Sequence, residues 1–336
     1  MVLIYNESRN NKNERKTNQM KNELTIISNQ ALITESELSL QLQRLSDEFI
    51  NYIDVKPSTI NTYKKALKHY IQYIIDNEIT EQTRETIINY KKYLIETNHK
   101  ATTIQSYLNA LKQLFNYLNF TFDFKNITEH IKSPKISKGF KKDYLTQDQA
   151  KELLKSINTT TTTGKRDYAI LSIMLTCGLR TVELERANIE DITLMNGETV
   201  LFVLGKGRDE KSEFVVISRE VEKAIKNYLA TRENQSPEQP LFISEDNKTK
   251  GHRLTKESIS RIVKTKLRSI GLDSERLTAH SLRHTTATLN ILNGGSIAET
   301  QQLLRHSNIN TTMLYNHALE RKNNQSEKRL TQLLFN

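Results

Sequence analysis

Residues 167–184 read DYAILSIMLTCGLRTVEL. The first ten are apolar on nearly all sides, which predicts a helix buried inside a domain rather than lying on its surface. Two charged residues, Arg180 and Glu183, follow that helix directly. The sequence around it has a mixed α and β texture from Asp143 onward. Thr146 precedes QDQAKELLKSI as a capped helix start. TVLFVL (199–204) and EFVVIS (213–218) are β-rich runs joined by GKGRDEKS, which predicts a hairpin. Helices are expected at about 219–231, 255–270, 281–293, 297–304 and 311–320, with Gly294-Gly295 as a stop signal. The chain ends RLTQLLFN, where Leu330, Leu333, Leu334 and Phe335 form a short apolar patch.

The N-terminal half reads differently. Residues 1–33 are rich in Asn, Lys and Glu without apolar periodicity, so 1–35 are expected to be a disordered tail. Helical patterning begins near Ser36. Ile60, Tyr63, Leu67, Tyr70, Ile71 and Ile74 fall on one stripe behind Pro57, and Ile87, Ile88, Tyr90, Leu94 and Ile95 belong to a helix near 82–96. Ile104, Tyr107, Leu108, Leu111, Leu114, Phe115 and Leu118 make the clearest stripe. Four amphipathic helices with short joints describe a small bundle over 36–120. Its polar faces carry Lys64, Lys65, Lys68, Lys91, Lys92, Lys100 and Lys112, each of which alone reads as a solvated lysine. Residues 121–142, with Pro134 and Lys132, Lys135, Lys138, Lys141 and Lys142, read as a basic linker suited to a phosphate backbone.

A chain of 336 residues suggests two domains. Lys and Arg number 49 against 39 Asp and Glu, a net +10 that favours a polyanion such as nucleic acid. A single cysteine, Cys177, cannot make an intrachain disulfide or a Cys-rich metal cluster, and its apolar setting suggests an inert packed thiol. No run approaches the roughly 18 apolar residues of a spanning helix, and the N-terminus turns polar too early for a secretory signal. The expectation is therefore a soluble cytoplasmic protein without a membrane partner. No phosphate-cradling loop of the GxxxxGK[ST] type occurs, so ATP is not expected. His280 and His284 are four apart, but no HExxH pattern and no third ligand accompany them, so neither metal nor cofactor is expected.

The remaining polar residues point to phosphodiester chemistry. His280 and Arg283 in TAHSLRH share a helix face. His306 and Tyr315 sit in LLRHSNINTTMLYNH, and Lys206 sits in the GKG turn. Two guanidinium groups can fork onto non-bridging oxygens and offset transition-state charge. A tyrosine hydroxyl can attack phosphorus and conserve the bond as an ester. Histidine and lysine can move the protons. His284 and His317 read as structural.

In this order the residues resemble the tyrosine recombinase, or phage integrase, family of site-specific DNA recombinases. The resemblance rests on GLRTVEL, the GKG hairpin, HSLRHTTAT and HSNINTTMLYNH, and spans Ser36 to the C-terminus. The family pattern R…K…HxxR…H…Y falls on Arg180, Lys206, His280 with Arg283, His306 and Tyr315. The fold it implies is mainly α with a small β-sheet: an N-terminal four-helix, SAM-like core-binding domain over 36–120, then an α+β catalytic domain over 143–336. The activity it implies is cutting and rejoining of DNA strands through a 3′-phosphotyrosyl intermediate and a Holliday junction, without metal or ATP. Tyr315 would attack, Arg180 and Arg283 would clamp the phosphate, and His280 would assist the tyrosine proton. His306 would hydrogen-bond a phosphoryl oxygen, Lys206 would protonate the leaving 5′-oxygen, and Glu183 would brace the site. The partners it implies are double-stranded DNA recombination sites, a tetramer of this chain on DNA with the C-terminal patch docked on a neighbour, and accessory DNA-bending proteins. Arg305 stands where the family usually carries Gly before the second histidine, a departure that bears on the local turn geometry, and an arginine there could instead contact DNA. A DNA-binding protein of this fold without cleavage and a type IB topoisomerase are the alternatives.

Overall fold

Pro57 opens the second helix of the chain in the position where its missing N–H costs nothing. The computed structural model describes residues 35–79, 81–135, 143–205, 208, 210–315 and 324–335. The tail expected over 1–35 therefore lies outside the described residues except for its last position, as do Lys138, Lys141, Lys142, Lys206 and His317. Internal contacts divide the chain into two units, Met1–Lys138 and Gly139–Asn336.

The first unit is a helical bundle of α1 (Glu35–Tyr52), α2 (Pro57–Asp76), α3 (Arg84–Glu96) and α4 (Ala101–Phe122). A reciprocal cap between Thr83 and Thr86 starts α3. The periodic apolar positions converge: Leu67, Tyr70 and Ile74 of α2, Ile87, Tyr90 and Leu94 of α3, and Leu108, Leu111, Phe115 and Leu118 of α4 are buried in one cluster with Phe49. Two of the buried tyrosines have partners for their hydroxyls. Tyr70 donates to Gln82 Oε1 at 2.5 Å, and Tyr90 Oη lies 2.9 Å from His69 Nδ1. Helix α4 runs past the expected end of the bundle to Phe122. Ile127 and Ile131 are buried in the same core, Arg84 donates to the Glu129 carbonyl, and Lys91 Nζ donates to the Lys132 carbonyl at 2.8 Å. The stretch read as linker from 121 is thus part of the folded unit up to Lys132, because its two isoleucines complete the core. Lys64, Lys65, Lys68, Lys92 and Lys100 are exposed, whereas Lys91 is half-buried.

The second unit is built around the helix that opened the sequence analysis. Helix α6 (Thr162–Cys177) buries Ile170, Leu171, Ile173 and Met174 among α5 (Gln147–Lys155), α8 (Arg219–Leu229) and α10 (Ala279–Leu292). Thr146 and Gln149 cap α5 reciprocally, as the sequence predicted. A short α7 (Thr181–Glu185) follows, then a three-stranded antiparallel sheet in the order β1 (Ile192–Met195), β2 (Glu198–Val203), β3 (Glu213–Val216). The hairpin expected from residues 199–218 is β2–β3, with Leu201 opposite Val215. The first strand is an addition. Asn196 and Gly197 take left-handed φ of 51° and 84° and turn β1 into β2, a tight hairpin whose Asn-Gly signal was present but unread. Helices α9 (Lys256–Ser269) and α11 (Ile297–Leu304) complete the unit, with α12 helical over 309–315 and α13 (Ser326–Phe335) at the end. The described residues are thus mainly helical with one small sheet. No described helix is long and apolar enough to cross a membrane.

Candidate active site

The site forms where the C-terminal ends of α6 and α11 meet. Gly178 ends α6 with φ of 59°, and a Cβ there would sit 2.6 Å from Leu304 Cδ2. Only glycine lets the two helix ends approach this closely. Two residues later Arg180 is the N-cap of α7. Its amide donates to Glu183 Oε2 at 2.8 Å and its guanidinium to Glu183 Oε1 at 2.7 Å. The Glu183 side chain is fully buried, while 29% of the Arg180 side chain remains exposed. Burial works against the Glu183 carboxylate, but Arg305, the Arg180 amide and the Arg180 guanidinium outweigh it and hold the pKa below the usual range.

Helix α10 supplies the second arginine. Its inward face carries Leu282, Thr285 and Thr286, and Thr286 Oγ1 donates to the Leu175 carbonyl at 2.8 Å, fixing α10 on α6. Arg283 is 1% exposed. Its Nη1 donates to the Gly178 carbonyl at 2.5 Å and its Nη2 to the Leu304 carbonyl. Burial and the neighbouring charge of Arg180 push its pKa down to about 9. On the same helix His280 is exposed, its ring edge-on to His284 at 4.6 Å between centroids. His284 is half-buried and also lies 5.2 Å from the Tyr315 ring.

Beyond α11 the chain turns through Arg305, whose φ of 54° and ψ of 47° are left-handed. The His306 amide donates to the Gln301 carbonyl at 3.1 Å and the Arg305 amide to the Gln302 carbonyl at 2.9 Å, the two-bond ending usually occupied by glycine. A side chain at this position costs about 1 kcal/mol or more. Instead of reaching outward toward DNA, as the sequence suggested, the Arg305 guanidinium folds inward and donates to Glu183 Oε2 at 2.8 Å. The buried carboxylate attracts it, and this contact, spanning 122 positions, has no local sequence signal. The turn places His306, whose Nδ1 is 2.8 Å from the Oγ1 of buried Thr312. Burial, with Arg283, Arg180, His280 and Arg305 nearby, pushes the His306 pKa down to about 4.

Tyr315 closes the group. It is 4% exposed and packs with Ala287 and Leu304. Burial raises its pKa, and the charges of Arg283 and Arg180 act in the opposite direction. The structure therefore brings together Arg180, Arg283, His306 and Tyr315 with Glu183, and keeps His280 within electrostatic reach. Lys206 is outside the described residues. Arg305 and Thr312 are members that sequence reasoning missed in these roles. Cys177 is buried, donates to the Val216 carbonyl at 3.4 Å, and has its pKa raised by burial, in keeping with a packed thiol.

The phage integrase family model matches residues 143–322, and the model of the phage integrase N-terminal SAM-like domain matches residues 42–119. The chain belongs to the tyrosine recombinase family. Tyrosine recombinase XerC of Caldanaerobacter subterraneus subsp. tengcongensis is 30% identical, covering 85% of this chain and 87% of the relative. XerD of Staphylococcus epidermidis is 28% identical over 82% of this chain and 94% of its own length. Among solved structures, the XerH recombinase bound to difH before cleavage aligns with a TM-score of 0.67 at 21% identity, covering 88% of this chain and 97% of that one. A lambda integrase fragment bound to a core site aligns at 0.62 and 16% identity, covering 82% and 93%. These neighbours share the fold of this recombinase, an enzyme of site-specific recombination with a SAM-like N-terminal domain.

Proposed function

We propose that this recombinase cuts and rejoins double-stranded DNA at a specific site through a 3′-phosphotyrosyl intermediate, without metal or ATP. The observation that carries the reading is the corner where Arg283 bonds the Leu304 carbonyl, Tyr315 packs on Leu304, and Arg180 stands nearby on Glu183. The Tyr315 oxygen attacks the scissile phosphorus. The bond from phosphorus to the 5′-oxygen breaks, and the 3′ end stays esterified to Tyr315. One ester replaces another, so rejoining needs no external energy source.

Arg180, with its outer edge exposed, forks onto the non-bridging oxygens, and Arg283 offsets their charge from beneath. His306 is neutral at physiological pH. With the Thr312 hydroxyl donating to Nδ1, its Nε2 carries the proton and donates to a phosphoryl oxygen. Burial keeps Tyr315 protonated at rest, so His280 takes that proton as attack proceeds. Lys206 protonates the leaving 5′-oxygen. Glu183 braces Arg180. The domain over 36–120 grips DNA with its exposed lysines. Four protomers exchange strands through a Holliday junction, with the α13 residues Leu333, Leu334 and Phe335, 70–81% exposed, docked on a neighbour. Accessory DNA-bending proteins fit the same scheme.

The test begins by selecting a binding sequence from random duplex DNA with the Tyr315→Phe protein, then nicking it near the cleavage point to trap the intermediate. The wild-type chain is expected to give a denaturant-resistant DNA adduct and Tyr315→Phe none. Binding without an adduct would leave a DNA-binding protein. An adduct without strand exchange between two duplexes would point to a topoisomerase. Affinity is expected to fall steeply with salt.

A further inference from the structure

Two arginines perform parallel tasks at the corner where α6 and α11 end. Arg283 donates to the carbonyls of Gly178 and Leu304. Arg305 donates to the preceding residue at each helix end, the carbonyls of Cys177 at 3.4 Å and Leu303 at 2.8 Å. Helix C-termini carry partial negative charge, so two ends meeting head-on invite cations between them. Arg283 has a place in the proposed chemistry, and Arg305 has had none.

We infer that Arg305 is a positioning residue for strand cleavage, setting Arg180 through the Glu183 carboxylate. The inference rests on the recombinase mechanism proposed above. Glu183 has two oxygens and three donors: Oε1 takes the Arg180 guanidinium, and Oε2 takes the Arg180 amide and Arg305. The carboxylate is fully buried, so its charge must be met from within. With Arg305 in place, one edge of Arg180 suffices for Glu183 and the other edge is left for a phosphate. Without Arg305, the under-compensated carboxylate pulls Arg180 inward and consumes the donors that face DNA. The residue choice agrees with this. A left-handed position favours glycine, yet the residue here is an arginine whose side chain is only 5% exposed and paired to Glu183.

The test compares Arg305→Gln, Arg305→Gly, Arg305→Lys, Glu183→Gln and the Arg305→Gln/Glu183→Gln double variant in the full chain. Adduct formation in a single turnover is measured at saturating protein on the selected nicked duplex, alongside DNA affinity and urea unfolding. Arg305→Gln and Arg305→Gly are expected to slow the adduct step by about tenfold to a hundredfold, the range for groups that orient a direct contact, with DNA affinity unchanged. Arg305→Lys is expected to recover part of the rate, and Arg305→Gln to add little to Glu183→Gln. Glycine is the informative variant, because it relieves the left-handed turn while removing the side chain that reaches Glu183. A wild-type rate in Arg305→Gly and Arg305→Gln, or effects that multiply fully in the double variant, would overturn the inference while leaving the mechanism intact. A wild-type chain that forms no adduct would instead remove the mechanism on which the inference rests.

Discussion

The two units of this recombinase bury different things. Among the described residues, the first unit buries Ser46, Thr86 and Thr128 as its polar groups and no charged side chain. Tyr70 and Tyr90 turn their hydroxyls to single partners and otherwise pack as apolar bulk. The second unit buries Arg166, Asp167, Glu183, Asp191, Arg232 and Arg283. Burying charge costs several kcal/mol per ion unless it is well paired, so each of these needs a reason. Arg166 and Asp167 are paired at 2.8 Å, with Lys266 on the other aspartate oxygen at 3.2 Å, and Arg166 also donates to the Ile243 carbonyl. That group has one partly exposed cation, Lys266. The Arg180–Glu183–Arg305 group also has one partly exposed cation, Arg180, but it adjoins a second buried arginine, Arg283, and the Tyr315 phenol. The difference teaches that buried charge alone does not locate a site. A partly exposed donor beside a nucleophile does.

The sharpest way to break this contrast is to remove one arginine from each network. Arg166→Met is expected to cost about 3 kcal/mol of stability, the scale for stripping a partner from a buried ion. Urea unfolding measures this, and the adduct rate of the folded protein should stay at the wild-type value. Arg180→Ala is expected to do the reverse, slowing adduct formation by about 10²–10³-fold, equivalent to roughly 3–4 kcal/mol, with a smaller loss of stability because Arg305 still meets Glu183. Equal stability losses in the two variants would erase the distinction.

The pH dependence sharpens it further. The folded pKa of His306 is about 4 against an ordinary 6.5. The unfolded chain therefore takes up a proton first as pH falls, so stability drops between pH 6.5 and 4 and is unaffected by this group above that window. His69 of the first unit is also lowered, by burial and by His99, and acts in the same direction. Unfolding of His306→Asn should show a shallower acid loss than the wild type, and an unchanged slope would assign the effect elsewhere. The smallest effect belongs to the first unit. Tyr70→Phe removes one hydrogen bond to Gln82 and is expected to cost about 1 kcal/mol, with no change in the adduct step on bound DNA.

Much of this was legible beforehand where the cause is local. The stripes of α2 and α4, the caps of α5, the burial of α6 and the β2–β3 hairpin follow from spacing of three, four or two residues and from nearby capping groups. The motifs around Arg180, His280, Arg283, His306 and Tyr315 were legible in order. Strand β1 was missed although Asn196-Gly197 announced its turn, and the core extension through Ile127 and Ile131 was hidden by the lysines that follow. The inward role of Arg305 was not legible, because a basic residue beside His306 looks outward until the buried Glu183 is known.

The sequence by itself determined the helices, the difference in texture between the halves and the candidate reacting groups, since periodicity and residue chemistry are carried within a few positions. Only the tertiary structure decided which of those groups meet and what each is spared from doing. That Glu183 accepts from two arginines, that Gly178 admits the end of α11, and that Thr312 fixes the His306 ring are consequences of packing between segments far apart in the chain, where burial removes water and leaves each charge to be met by its neighbours.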